Sequence, residues 1–116
     1  MVRYRVYSER KTYKMSYKVL DLFCGAGGFS EGILQAGVNS DEKFHIIFSN
    51  DINRSVAKTY KNRHKQLGLI QGDNTYFELD DISNIDKDLI YNRIRSLDKF
   101  EKIFPKNDIN IDAIFG

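Results

Sequence analysis

The feature that most constrains the fold is a short apolar run that breaks into glycines, between Lys18 and Gly32. The segment is Lys18-Val-Leu-Asp-Leu-Phe-Cys-Gly-Ala-Gly-Gly-Phe-Ser-Glu-Gly32. Its apolar start predicts a buried strand over about 18–23, and the residues after the glycines predict a helix over about 28–36. A strand, a glycine turn and a helix bring bare backbone and a helix N-terminus up to a small ligand. The segment therefore predicts an α/β ligand-binding domain.

Three more strands and two more helices are predicted downstream. Apolar runs at 44–48, 75–79 and 111–115 predict the strands. One helix is predicted over about 53–64, and another begins near Ser83 or Asp86, either of which could cap it. Their apolar stripes are Val56, Ala57 and Tyr60 in the first, and Leu89, Ile90, Ile94 and Leu97 in the second. Four strands separated by three helices predict an α/β fold with a parallel sheet and right-handed crossovers.

The sequence predicts an N-terminal extension followed by one domain. Residues 1–17 alternate tyrosines with basic residues and are predicted to form a basic N-terminal extension, which leaves 18–116 for the domain. The last predicted strand reaches Gly116 with no helix after it. Such a strand would leave apolar surface and an unpaired edge exposed. We therefore expect the sequence to be truncated after its fourth strand.

Composition excludes several classes of protein. With 116 residues and a hydrophobic fraction of 41%, the chain suits one globular domain. It has no apolar run near the roughly 20 residues of a membrane span and no secretion signal, so we expect a cytoplasmic location without a membrane partner. The single cysteine excludes an internal disulfide. A net charge of +2 is too small to predict nucleic-acid binding.

Each of the first three predicted strands delivers an acid at or near its carboxyl end: Asp21, Asp51 and Asp81. Ligands of open α/β sheets bind at that edge. Asp51 could accept hydrogen bonds from both ribose hydroxyls of an adenosine, and Asp81 or the backbone of Ile82 could reach the adenine. Acids at strand ends also cap helices. Three acids at equivalent positions of three strands, however, favour a ligand-binding role.

The glycine pattern discriminates between ligands. A dinucleotide fingerprint would place glycine at the third position, where this chain has Ser30. Asp21 would repel a pyrophosphate but suits a positive amine, such as that of the methionine part of S-adenosylmethionine. The N–H groups of Gly27 and Gly28 could hold that ligand's carboxylate. The pattern therefore favours a methyl donor over NAD.

Four segments carry a resemblance to a known family. Residues 21–30 resemble the first motif of the C5-cytosine DNA methyltransferases almost letter for letter. Residues 48–51 resemble the second motif, whose acid holds the ribose, and 81–83 resemble the third, which contacts the adenine. Residues 112–116 resemble the run that leads into the fourth. The resemblance implies a Rossmann-like open parallel sheet, S-adenosyl-L-methionine as cofactor and DNA as partner.

The resemblance also implies which residues bind the cofactor. Phe23 would pack near the adenosyl part and Ile52 against the adenine, where the family often has a larger or aromatic residue. The third motif is commonly Gly-Asp-Ile, so Gly72-Asp73 offers a rival alignment that lacks the isoleucine. The expected cofactor-binding set is Asp21, Phe23, Gly25, Gly27, Gly28, Asp51, Ile52, Asp81 and Ile82.

No catalytic residue is expected within the chain. By the resemblance, the nucleophile is the cysteine of a Pro-Cys pair beyond Gly116, which adds to C6 of a flipped-out cytosine. Cys24 is rejected as a nucleophile because it lies in the cofactor turn with no histidine placed to activate it. We expect His45 in the core and His64 at a helix end, where a cation suits the helix dipole. No metal is expected, because no metal-ligand spacing occurs.

These observations predict the N-terminal, cofactor-binding part of a DNA (cytosine-5-)-methyltransferase, inactive alone, whose parent serves restriction-modification. Two alternatives stay open. One is an oxidoreductase domain that binds a nucleotide such as NAD. The other is a non-catalytic relative or one that acts on tRNA.

Overall fold

The computed structural model describes residues 4–6, 12–14, 16–22, 32 and 43–116. The strands are β1 (Tyr4–Val6), β2 (Thr12–Lys14), β3 (Ser16–Asp21), β4 (Lys43–Asp51), β5 (Tyr76–Leu79) and β6 (Ala113–Phe115). The helices are α1 (Arg54–Gln66), α2 (Lys87–Arg95) and α3 (Phe100–Ile103), with a 3₁₀ turn at Ile82–Asn84.

Four strands form one parallel sheet in the order β5-β4-β3-β6. Chain order and sheet order differ because β6 returns to the far side of β3, as in open α/β sheets. The predicted fold class, an α/β Rossmann-like open parallel sheet, is confirmed. β1 and β2 form a separate antiparallel pair.

Several elements differ from their predicted bounds. β4 continues to Asp51 instead of ending at Phe48, because its last residues pair with β5. β1 and β2 lie in a stretch for which no strand was predicted, and β3 begins at Ser16. The single-turn helix α3 lies in a stretch for which no element was predicted. Of the predicted helix over 28–36, only Gly32 lies among the described residues, and it is helical.

The helix starts follow ordinary capping chemistry. Asn53 caps α1, its side chain accepting a hydrogen bond from the backbone N–H of Val56 at 3.0 Å. Asp86 caps α2 in the same way through the N–H of Leu89 at 2.8 Å. Asp86, and not Ser83, is therefore the cap of the third predicted helix.

The sheet is covered on both faces. On one face α2 and the segment after it pack on β3 and β4, through a buried cluster of Leu20, Ile47, Phe48, Ile90, Ile94, Leu97 and Phe104. On the other face Ala57 and Tyr60 of α1 pack against Phe77 of β5. The second predicted stripe therefore faces the core, as do Ala57 and Tyr60 of the first, whereas Val56 is half-buried.

A β-bulge changes the facing of β4. Val19 of β3 pairs with Ile46, whereas the next residue, Leu20, pairs with Phe48. Ile47 is the extra residue, and it joins Phe48 in the same buried cluster. Beyond the bulge, Ser49 faces α1, where its hydroxyl meets Tyr60. Bulges commonly re-aim side chains beside functional sites.

Of the two histidines, His64 is buried and His45 is half-buried. His45 donates a hydrogen bond from Nε2 to the backbone carbonyl of Asn74, which joins β4 to the loop before β5. Burial lowers the pKa of His45 below its ordinary value of 6.5. His64 lies in the last turn of α1 as expected, and it is buried against the Tyr60 ring.

Stability should fall as the solution is acidified below about pH 6.5, because the unfolded chain takes up a proton at His45 before the folded chain does. The slope of the unfolding free energy against pH from this one group is at most about 1.4 kcal/mol per pH unit. Above the ordinary histidine pKa the slope vanishes, because His45 is then neutral in both the folded and the unfolded chain. Urea unfolding at pH 7.5 and at pH 5.5 measures it. His45→Gln should flatten the dependence, and an equal pH dependence in both proteins would contradict the assignment.

Candidate functional site

Three acids lie at or just beyond the carboxyl ends of three neighbouring strands. Asp21 is the last residue of β3, Asp51 is the last residue of β4, and Asp81 follows the end of β5 by two residues. Since these strands are parallel and adjacent, their carboxyl ends share one edge of the sheet. This is the edge at which open α/β sheets bind ligands.

Asp21 is a buried carboxylate, with 3% of its surface exposed. Its Oδ2 accepts a hydrogen bond from the hydroxyl of Tyr60 at 3.1 Å. The same hydroxyl lies 2.6 Å from Oγ of Ser49, the residue that pairs with Asp21 across the sheet. A buried carboxylate needs such donors to stay charged.

Asp51 lies at the turn from β4 into α1. Its Oδ1 accepts a hydrogen bond from the backbone N–H of Asn53 at 2.9 Å, which fixes the carboxylate beside the helix start. Asp51 is half-buried, while Ile52, the next residue, has 66% of its surface exposed. A large exposed apolar side chain next to a fixed acid suits contact with the flat face of a ligand.

Asp81 is exposed and caps the 3₁₀ turn that Ile82 begins. Its Oδ1 accepts a hydrogen bond from the backbone N–H of Ser83 at 2.9 Å. The Ser83 N–H, together with the Ser83 side chain, lowers the pKa of Asp81 below its ordinary value. Asp81 thus caps a helical turn, which is the other role that the sequence allowed for acids at strand ends. Ile82, the next residue, is partly buried.

Asn50 connects two of these acidic segments, and it was not predicted as a site residue. Its side-chain amide donates to the backbone carbonyls of Glu78 at 3.1 Å and Asp80 at 2.8 Å. The N–H of Asp80 in turn donates to the carbonyl of Asp51 at 3.1 Å. These bonds fix the spacing between the ends of β4 and β5. Asn50 follows the strand predicted over 44–48, so the sequence pattern gave no signal for this role.

The remaining predicted site residues belong to the glycine turn. Phe23, Gly25, Gly27 and Gly28 lie outside the described residues, as does Cys24. Within the described ranges there is no group of three or more histidine, cysteine or acidic residues that could hold a metal ion. In the same ranges, no helix has the length and apolar character needed to cross a membrane.

A four-stranded open parallel sheet with helices packed on both faces is a Rossmann-like α/β arrangement. Within that class, the chain belongs to the C-5 cytosine-specific DNA methylase family, whose family model matches residues 17–92. The match runs from β3 into α2 and includes Asp21, Asp51 and Asp81. The resemblance expected from the sequence motifs is confirmed. Members of this family use S-adenosylmethionine and act on DNA.

The chain is similar in sequence to the Type II methyltransferase M.AgeI of Thalassovita gelatinovora. The two sequences are 45% identical over 47 residues. That stretch is 40% of this chain and 10% of the relative. The matched stretch is therefore a small part of the relative's length.

Proposed function

We propose that this chain forms the S-adenosyl-L-methionine-binding part of a DNA (cytosine-5-)-methyltransferase. The observation that supports it best is the position of Asp21, Asp51 and Asp81 at one edge of the parallel sheet. Two of these acids sit in turns whose backbone is held by hydrogen bonds. Such preorganised acceptors bind the hydroxyls and amines of a nucleoside without first having to be ordered.

Each part of the cofactor has a proposed partner. Asp51 accepts hydrogen bonds from the ribose hydroxyls, and Ile52 packs against the adenine. Asp81 and the backbone of Ile82 contact the adenine edge. Asp21 faces the amine of the methionine part, whose carboxylate is held by the N–H groups of Gly27 and Gly28. Phe23 and Gly25 complete the proposed contacts.

We propose that the methyl transfer itself uses residues outside this sequence. The chain has one cysteine, Cys24, and one proline, Pro105, which Lys106 follows, so it has no Pro-Cys pair. We propose that the nucleophilic cysteine follows Gly116 in a longer protein. Its addition to C6 of cytosine in DNA would let C5 take the methyl group of S-adenosylmethionine, which would leave as S-adenosylhomocysteine, and loss of the C5 proton would then release the cysteine. The relative's Type II name supports a restriction-modification role. The next ten codons of the gene test this, because the absence of a Pro-Cys pair there would contradict the mechanism.

Calorimetry with two ligands tests the cofactor assignment. S-adenosylhomocysteine should bind the chain and release or absorb heat, whereas NAD should give none, because Asp21 disfavours a pyrophosphate. Binding of NAD without binding of S-adenosylhomocysteine would favour the oxidoreductase alternative. A relative that acts on tRNA would bind the same cofactor, so transfer of methyl groups to tRNA and not to DNA by the longer protein would identify it.

A further inference from the structure

Beside the acidic edge lies a buried chain of hydroxyl groups, formed by Ser49 and Tyr60. Tyr60 has 0% of its surface exposed and Ser49 has 1%. The Tyr60 hydroxyl donates to Asp21, so its oxygen is left to accept a hydrogen bond from the Ser49 hydroxyl at 2.6 Å. The three residues come from β3, β4 and α1, and Asp21 and Tyr60 are 39 positions apart in sequence.

The β4 bulge and the packing of the Tyr60 ring position this contact. The bulge at Ile47 sets Ser49 opposite Asp21 and on the same face as α1. The Tyr60 ring is held by His64, with centroids 3.8 Å apart, and by Phe77, with centroids 5.2 Å apart. A hydroxyl is costly to bury unless its partners are fixed. Apolar residues could fill this space, so the two buried hydroxyls point to a role at Asp21, which the Tyr60 hydroxyl reaches.

We propose that Tyr60, supported by Ser49, is a positioning residue that holds the Asp21 carboxylate charged and oriented for the amine of the cofactor. This inference rests on the proposed function. Tyr60 itself does not touch the ligand. Its hydroxyl donates to Oδ2 of Asp21 at 3.1 Å, and the negative charge of Asp21 recognises the ammonium group.

Two ligands separate this role from a general effect on the fold. S-adenosylhomocysteine carries the amine, whereas 5′-methylthioadenosine keeps the adenosine and the thioether but lacks the amino-acid part. Tyr60→Phe keeps the ring and removes the hydroxyl. By calorimetry on the whole chain, it should weaken S-adenosylhomocysteine binding about three- to tenfold and leave methylthioadenosine binding unchanged. Equal weakening of both ligands, or of neither, would overturn the proposal.

A matched control is available on the opposite face of the sheet. Tyr76 stacks on Phe48, and Tyr76→Phe makes the same chemical change away from Asp21. It should leave the affinities of both ligands as in the wild-type chain. Weakening of S-adenosylhomocysteine binding by Tyr76→Phe as large as that by Tyr60→Phe would contradict a specific role.

A double-mutant cycle tests the link to Asp21. In the Asp21→Asn background, Tyr60→Phe should cause no further loss of S-adenosylhomocysteine affinity, because the charge it positions is gone. Additive losses would overturn the inference. Should Tyr60→Phe fail to fold, Ser49→Ala gives the same ligand comparison with a smaller change. If the wild-type chain binds neither ligand, the proposed function fails, whereas binding that is insensitive to Tyr60 refutes this inference alone.

Discussion

Phe48→Ala should cost about 3–5 kcal/mol of unfolding free energy, a large share of the total stability of a small domain. Phe48 is fully buried beyond the β4 bulge, where it packs with Leu20 of β3 and Ile94 of α2. Its ring also stacks on Tyr76, with centroids 6.3 Å apart. Truncation leaves a cavity between the sheet and α2 that the surrounding elements cannot close. Urea unfolding followed by circular dichroism measures the loss.

The matched control is Ile70→Ala. Ile70 is a large apolar residue with 42% of its surface exposed. Its truncation should lower the unfolding free energy far less than Phe48→Ala does, by about 0.5 kcal/mol, because the side chain buries only part of its surface. Comparable losses at Phe48 and Ile70 would show that the face covered by α2 is not the core.

Asp51→Ala should weaken S-adenosylhomocysteine binding by about tenfold or more, because a hydrogen bond to a charged acceptor contributes roughly 1.5–3 kcal/mol. Since the contact is to the ribose, methylthioadenosine should lose as much. This differs from Tyr60→Phe, which should affect only the ligand with the amine. Calorimetry on the whole chain measures both affinities.

Two further variants control for changes at the turn. Asp51→Asn can still accept the N–H of Asn53, so it preserves the turn while it removes the charge. Asp51→Asn should therefore weaken S-adenosylhomocysteine binding less than Asp51→Ala does. Glu101→Gln changes an exposed acid of α3 and should leave the affinity unaltered. Unchanged affinity in Asp51→Ala would remove the ribose role.

The parallel sheet could be predicted because its strands are short apolar runs that alternate with amphipathic helices. Such runs mark strands buried on both faces, and glycines or acids mark their ends. The acids at the strand ends could be found for the same reason, since a parallel sheet brings its carboxyl ends together. β1 and β2 were missed because their pairing depends on backbone hydrogen bonds and not on an apolar pattern.

The contact between Tyr60 and Asp21 could not be predicted from spacing. Tyr60 was expected only as a core residue of its helix, and its ring does pack there. Its hydroxyl meets that of Ser49, and the pairing of Ser49 with Asp21 depends on the bulge. Periodicity cannot show an extra residue inside a strand. The sequence therefore predicts which residues are buried but not which polar atoms meet.

The central claim is that the carboxyl ends of β3, β4 and β5 form the cofactor site. Amide chemical shifts of the ¹⁵N-labelled chain, recorded during titration with S-adenosylhomocysteine, test it most directly. The account predicts saturable shifts at 51–53 and 81–83, and unchanged amides at 100–103 in α3. Shifts confined to α3, or binding that leaves 51–53 and 81–83 unmoved, would contradict it.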